Sequence, residues 1–245
     1  MSTLAIILAS GRGSRMGRLT QSTPKGLLKI NNTSPVLHQI NNISHSNIDE
    51  VIVTTGYFSE KYEKLNVKTI LNKNWSSTNM VFSLMLCNHE ILKFDSVIVS
   101  YSDVFFEKKA LNSIISTDAD ISLTYDINWQ NLWKQRFSDP LLDAESFKLD
   151  KHGCLIEIGN KIDHIDDATG QFMGLFRFTK IGWKNYFDFL SKKNSDDVKK
   201  MDVTTSFRLL LEETTNSIKC LPFDGIWGEI DSEKDIYLYR NKKII

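Results

Sequence analysis

Arg12, Arg15, Arg18, Lys25 and Lys29 all precede the first acidic residue of the chain, Asp49. Cations grouped this way, with no carboxylate among them, form a local receptor for a polyanion such as a nucleoside triphosphate. They are threaded through a loop, Ser10-Gly11-Arg12-Gly13-Ser14-Arg15, whose glycines let the backbone turn its N–H groups onto a phosphate chain. The familiar glycine-loop motifs do not account for it. A P-loop closes on Gly-Lys-Ser/Thr, whereas Gly17 is followed by Arg18 and Leu19. A dinucleotide fingerprint needs G-x-G-x-x-G and an acidic residue about 20 positions on. Here Gly11, Gly13 and Gly17 are spaced one position too long and the acid is missing. The alternative is an ordinary basic surface loop.

Carboxylates come next. Asp103 closes Tyr101-Ser102-Asp103, and Asp231 lies in Glu229-Ile230-Asp231-Ser232 before the last predicted helix. Either one alone reads as a helix cap. Together they supply what magnesium takes, one or two carboxylates plus substrate phosphate oxygens. A third group is the excursion from Asn128 to Glu145, which gathers Trp129, Trp133, Arg136, Asp139, Asp143 and Glu145. Aromatic faces and carboxylates favour a cationic group, with a cation–π contact worth about 0.5–2 kcal/mol. The competing reading pins the tryptophans on the core and turns the acids to solvent.

The elements that must position these residues follow from apolar patterning. Leu4 to Leu8, Glu50 to Thr55, Val67 to Leu71 and Ser96 to Ser100 read as strands. Helical spacing is predicted for Pro35 to Ile43, Tyr57 to Leu65 and Asn79 to Leu92. Alternating strands and helices imply an α/β fold with a mostly parallel central sheet flanked by helices, a Rossmann-like three-layer arrangement. Ligands gather outside the carboxyl ends of such strands, so the Gly11 loop and Asp103 are expected at one sheet edge. The second half is strand-rich and mixed: Ile121 to Tyr125, Cys154 to Ile158, Phe172 to Phe178 and Ser217 to Phe223. Helices are expected at Lys180 to Leu190 and at Thr204 to Glu213, the latter capped by Asp202. Asn194 to Lys200 reads as a charged loop, and Ser232 to Asp235 as a capping box.

The chain of 245 residues suits one domain, 1–245, with 1–115 mainly nucleotide-binding and 116–245 mainly acceptor-binding. Its 30 basic and 30 acidic side chains balance, which gives no support to nucleic acid as a partner. No apolar run approaches a membrane span, so membrane insertion is not expected. Cys87, Cys154 and Cys220 are odd in number and far apart, which points to reduced thiols in a cytoplasm. The five histidines show no zinc spacing.

Taken as a whole, the chain from Leu4 to Tyr239 resembles the bacterial phosphocholine and 2-aminoethylphosphonate cytidylyltransferases, relatives of the sugar-nucleotide pyrophosphorylases. The general match is carried by LASGRGSR, Pro24-Lys25, Tyr101-Ser102-Asp103 and Glu229-Ile230-Asp231-Ser232. The narrower match is carried by Trp129, Trp133, Arg136, Asp139 to Glu145, Glu157 to Lys161 and Gly170 to Gly174. It is nearest the aminoethylphosphonate branch. Ser10 departs from the alanine usual there, and Asn160 from a common lysine.

What the resemblance implies is a nucleotidyltransferase that uses CTP and magnesium and a small phosphonate or phosphate acceptor. 2-Aminoethylphosphonate is the expected acceptor. Phosphocholine, a sugar 1-phosphate, or a regulatory module without turnover are the rivals, and a homodimer is left open. Gly11, Arg12, Gly13 and Ser14, with Arg15, are expected on the β and γ phosphates and Lys25 on the α phosphate. Leu8, Ala9, Asn79 and Ser83 are expected by the base, and Asp103 and Asp231 on the metal. Trp129, Trp133, Arg136, Asp139, Asp143 and Lys161 are expected on the acceptor. For Asn79 and Ser83 the plainer alternatives are a helix cap and a satisfied buried hydroxyl.

Overall fold

The computed structural model describes residues 1–242; positions 243–245 of the expected single unit lie outside the described residues. β1 (Thr3–Leu8) is buried at every position, as a parallel strand covered on both faces must be. It is followed by β2 (Glu50–Thr55), β3 (Lys68–Leu71), β4 (Ser96–Tyr101), β5 (Val104–Phe106) and β6 (Ile121–Asp126). Then come β7 (Glu145–Leu149), β8 (Leu155–Lys161), β9 (Gln171–Thr179), β10 (Lys219–Phe223) and β11 (Trp227–Glu229).

The main sheet runs β10-β6-β9-β4-β1-β2-β3, and β9 alone opposes its neighbours. The mostly parallel sheet inferred from the alternation is therefore observed. β1 and β4 pair in parallel with Leu8 opposite Tyr101, which brings the glycine loop and Asp103 out at the same edge. Two small antiparallel pairs, β5–β11 and β7–β8, stand beside the sheet.

Helices cover both faces. On one, Val81, Leu84, Trp183, Tyr186 and Phe207 pack with Phe176 and Phe178. On the other, Val36, Ile43, Leu111, Ile114 and Trp129 pack with Met173 and Leu175. Among the described residues no helix is long and apolar enough to cross a membrane. Cys87, Cys154 and Cys220 are all free.

Several local expectations are corrected. The helix expected over Tyr57 to Leu65 is two 3-10 turns, Ser59–Lys61 and Glu63–Leu65, because Phe58 and Asn66 take left-handed φ values of 48° and 52°. Asn79 to Leu92 divides into Met80–Met85 and Asn88–Ile91. The charged segment after Asn194 is a helix, Ser195–Lys200, whose first amides are capped by the Asn194 side chain. The Asn128 excursion contains a helix, Trp129–Arg136. Helix Lys108–Ile115 and strands β5, β7 and β11 escaped the sequence reading; two of those strands are only three residues long and form no periodic run.

Phe207, on helix Val203–Glu213, is fully buried with its ring 5.4 Å from Phe176, 5.9 Å from Tyr186 and 6.3 Å from Phe172. Phe207→Ala is expected to cost about 3–5 kcal/mol, read by urea unfolding. A loss below about 1 kcal/mol would show that this helix does not pack on the sheet as described.

Candidate active site

Asp103 and Asp231 are 128 positions apart in the chain and are joined by backbone pairing. β5 and β11 place Glu229 opposite Val104, and Ile230 N donates to the Asp103 carbonyl at 3.0 Å. The turn before β5 is held by the buried Gln39, whose Nε2 donates to the Tyr101 and Val104 carbonyls at 2.8 and 2.6 Å. Ser232 and Asp235 cap the last helix as the sequence indicated, with Ser232 N donating to Asp235 Oδ2 at 2.8 Å. That cap also takes Asp231 N at 2.9 Å. The backbone around both aspartates is thus held by hydrogen bonds.

Lys25 lies between them. Its Nζ pairs with Asp103 Oδ2 and with Asp231 Oδ1 at 3.0 Å. Gly13 makes this possible: its φ is 71°, and a Cβ there would meet Lys25 Cβ at 2.6 Å. Gly26 does the same on the other side, where a Cβ would meet the Ser102 carbonyl at 2.8 Å. Burial alone would push the Lys25 ammonium down, but Asp103 and Asp231 outweigh it and hold it well above the ordinary lysine range. Burial likewise opposes ionisation of Asp231, yet Lys25, then Arg15, lower it below the usual carboxylate range. Arg15, largely exposed, reaches Asp231 Oδ1 with Nη2 at 2.6 Å.

The glycine loop itself runs through 3-10 turns, Ser14–Thr20, interrupted at Gly17. Arg12 lies over the Tyr57 ring at 5.6 Å, and the Tyr57 hydroxyl donates to the Thr20 and Gln21 carbonyls. Beside the loop a notch of about 60 Å³ is lined by Leu8, Ser10, Gly11, Asn79 and Ser83. Ala9 is buried next to it without lining it. Asn79 does cap its helix, through Met80 N at 2.8 Å, and Ser83 does accept a bond from Asn72 Nδ2 at 3.0 Å. Both still face the notch. Asn72 and Thr78 also line it and were missed by the sequence reading.

A second cavity, about 270 Å³, opens against Arg15, Glu229 and Asp231. Its walls carry Tyr101, Trp133, Asp143, Glu145, Phe172 and Asp202. Tyr101 and Phe172 meet edge to face at 5.8 Å, as the convergence of strand ends implied. Gln171 clamps the Glu145 backbone, donating to its carbonyl at 2.6 Å. Desolvation, then Asp202 and Asp143, push the Glu145 carboxyl up. Asp143 is also raised by burial, against the pull of Arg136. Asp202 caps its helix through Oδ1, which accepts from Thr205 N at 2.7 Å and Thr204 Oγ1 at 3.1 Å. A cap needs one carboxylate oxygen, which is why the sequence showed that role and hid the cavity-facing one.

Four expected acceptor contacts lie elsewhere. Trp129 is core, its ring 5.9 Å from that of Trp133. Asp139 is an exposed cap of the turn Pro140–Leu142. Lys161 is exposed at the end of β8, in register with Glu145, and does not line the cavity. Arg136 is buried, bonded to Glu229, Asp231 and Asp235, and does not line the cavity.

Residues 5–130 match the family model of the MobA-like NTP transferase domain. The chain belongs to this family. It is a nucleotidyltransferase with cytidylyltransferase relatives. The CTP:phosphoglutamine cytidylyltransferase of Campylobacter jejuni is 31% identical over 246 residues, covering 95% of this chain and 97% of that protein. The choline-phosphate cytidylyltransferase of Streptococcus pneumoniae is 25% identical, covering 81% and 86%. The solved inositol-1-phosphate CTP transferase from T. maritima shares the fold at a TM-score of 0.76 and 20% identity, over 98% of this chain and 96% of that one.

Because Lys25 neutralises two carboxylates in a partly buried site, Lys25→Met is expected to lower the unfolding free energy by about 2 kcal/mol, less than a fully buried pair would cost. Chemical denaturation without nucleotide checks this. Unchanged stability would mean that Lys25 does not hold Asp103 and Asp231 in solution.

Proposed function

We propose that the chain transfers CMP from CTP to a small acceptor with a phosphate or phosphonate at one end and a primary ammonium at the other, releasing pyrophosphate. The observation that carries this reading is the wall of the larger cavity. Asp143, Glu145 and Asp202 face it, and none of the three forms an ion pair among the described residues. Asp143 and Asp202 are half-buried and Glu145 is exposed, and three carboxylates beside Tyr101 and Phe172 favour a ligand that brings a cation. A neutral sugar phosphate would leave all three unpaired.

The named relatives support CTP as donor. For the acceptor, the motif segments favour 2-aminoethylphosphonate, whereas the full-length Campylobacter jejuni match favours phosphoglutamine. Both carry a primary ammonium that donates N–H bonds to carboxylates. The quaternary ammonium of phosphocholine cannot.

The chemistry needs no general base. A phosphate monoester has a second pKa of about 6, so its oxygen is already anionic at neutral pH. That oxygen forms a bond to the α phosphorus of CTP as the bond to the β phosphate's bridging oxygen breaks, and the electron pair leaves with pyrophosphate. Lys25 supplies positive charge at the α phosphate, while Arg15 and the Gly11 to Ser14 amides hold the departing phosphates. Leu8, Asn79 and Ser83 border the base.

The donor set also suits magnesium, because two carboxylates already converge on one cation. Among the described residues no group of three or more His, Cys, Asp or Glu is arranged for a metal, so nucleotide oxygens would complete the shell. Asp103 and Asp231 would hold the ion, which when bound neutralises charge on the triphosphate. Asp103→Asn and Asp231→Asn are each expected to lose about 100-fold or more in kcat while remaining folded. Early melting with normal turnover of the folded fraction would reduce both residues to caps.

Pyrophosphate release with CTP and 2-aminoethylphosphonate, phosphoglutamine, phosphocholine or an isosteric uncharged acceptor tests the substrate class. The primary ammonium acceptors are expected to give the highest kcat/KM. The ammonium needs an ionised Glu145, whose pKa is raised. Efficiency should therefore fall as pH drops through a value above the ordinary glutamate range. Equal efficiency with the uncharged acceptor, at every pH, would remove the ammonium site.

A further inference from the structure

The helix Trp129–Arg136 ends on a cation that the transfer reaction, as described so far, does not use. The Arg136 side chain is 0% exposed. Its Nε donates to Asp235 Oδ1 and its Nη2 to Asp231 Oδ2, both at 3.0 Å, and its Nη1 pairs with Glu229 Oε1. Two neighbouring rings pack against the guanidinium, their centroids 4.9 Å (Phe137) and 5.2 Å (Trp133) away. Each of the three guanidinium nitrogens therefore donates to a different carboxylate.

What this does to Asp231 is specific. One carboxylate oxygen, Oδ2, is held by Arg136; the other, Oδ1, is left for Lys25 and Arg15. The backbone of Asp231 is fixed separately, through its N–H to Asp235 Oδ2 at 2.9 Å. Asp235 is in turn bonded to Arg136 through its other oxygen. Arg136 therefore sets both the position of the corner and the rotation of the Asp231 carboxylate. Without a cation on the inner side, Glu229, Asp231 and Asp235 would repel one another and the Asp231 side chain would lose its inner anchor.

We propose that Arg136 is a positioning residue for nucleotidyl transfer: it aims Asp231 Oδ1 at the metal and Lys25, and so acts on the α phosphate from a place that no substrate reaches. This rests on the reading of Asp231 given under the proposed function. The assignment also explains why an arginine stands here, since a lysine ammonium has no planar fork with which to serve three carboxylates.

The test is Arg136→Lys in the intact protein, with three readouts: thermal melting, the split between kcat and KM for CTP, and binding of Mn2+ in the presence of CTP without acceptor. Below its melting temperature the variant is expected to lose about 10- to 100-fold in kcat and in Mn2+ affinity, the usual effect of removing an outer partner of a ligand, with KM for CTP changed less than threefold. Melting also falls, but a purely structural arginine would change melting alone. Mn2+ affinity and kcat within twofold of the unsubstituted protein would overturn the proposal. If Arg136→Lys does not fold, the double substitution Arg136→Gln with Glu229→Gln removes one charge of each sign and serves in its place, with the same two losses expected. Failure of the unsubstituted protein to bind Mn2+ with CTP at all would overturn the reading of Asp231 itself, and the proposal with it.

Discussion

The edge of the sheet where β1 and β4 end is organised around one shared carboxylate. Asp231 is gripped from two sides, by Lys25 and Arg15 on one oxygen and by Arg136 on the other. Those three cations come from the glycine loop, the turn after it and the helix of the Asn128 excursion. A single anion thus ties the N-terminal loop to the helix Trp129–Arg136. The arrangement is electrostatically stable only because positive charge is supplied on both faces: Glu229, crowded by burial and by Asp231, Asp103 and Asp143, is pushed up in pKa even with Arg136 beside it.

Burial of charge is costly, and here it is not recovered as stability alone. The main sheet is packed through its two apolar faces rather than through these ions. On the proposed reading, their convergence where β1 and β4 end serves chemistry instead, because oriented charges in a partly dry cleft act strongly on a phosphate chain. The larger cavity follows the opposite logic. Asp143, Glu145 and Asp202 form no ion pair among the described residues, so on the proposed reading the missing cation is a condition that a ligand must meet.

Much of this was legible in the chain. Strands such as Leu4 to Leu8 announce themselves by continuous apolar character, and the glycine loop by its cations. Pairing Asp103 with Asp231 was a chemical inference that backbone pairing between two three-residue strands then satisfied; no periodicity in Val104–Phe106 or Trp227–Glu229 could have shown it. The acceptor residues were harder. In the excursion, composition identified a cation-seeking segment, but a helix turns successive residues to different sides. Trp133 reached the cavity, Trp129 the core and Arg136 the buried side of Asp231. Asp202 was read as a cap, which it is, and its second role depended on a cavity built by β7, β9 and β4 that no local pattern contains. Lys161 was assigned by resemblance alone, and its exposed place on β8 follows from a strand register that resemblance does not fix.

Asp103, Asp231 and Lys25 form one cluster, and in the proposed reaction its internal cation yields to the nucleotide. A crystal of the protein with CTP and Mn2+, measured at the manganese absorption edge, tests this most directly. The predicted result is one anomalous peak between Asp103 and Asp231, with Lys25 Nζ displaced from the pair to an α-phosphate oxygen. A peak bound only by the triphosphate, with Lys25 still between the two aspartates, would contradict it.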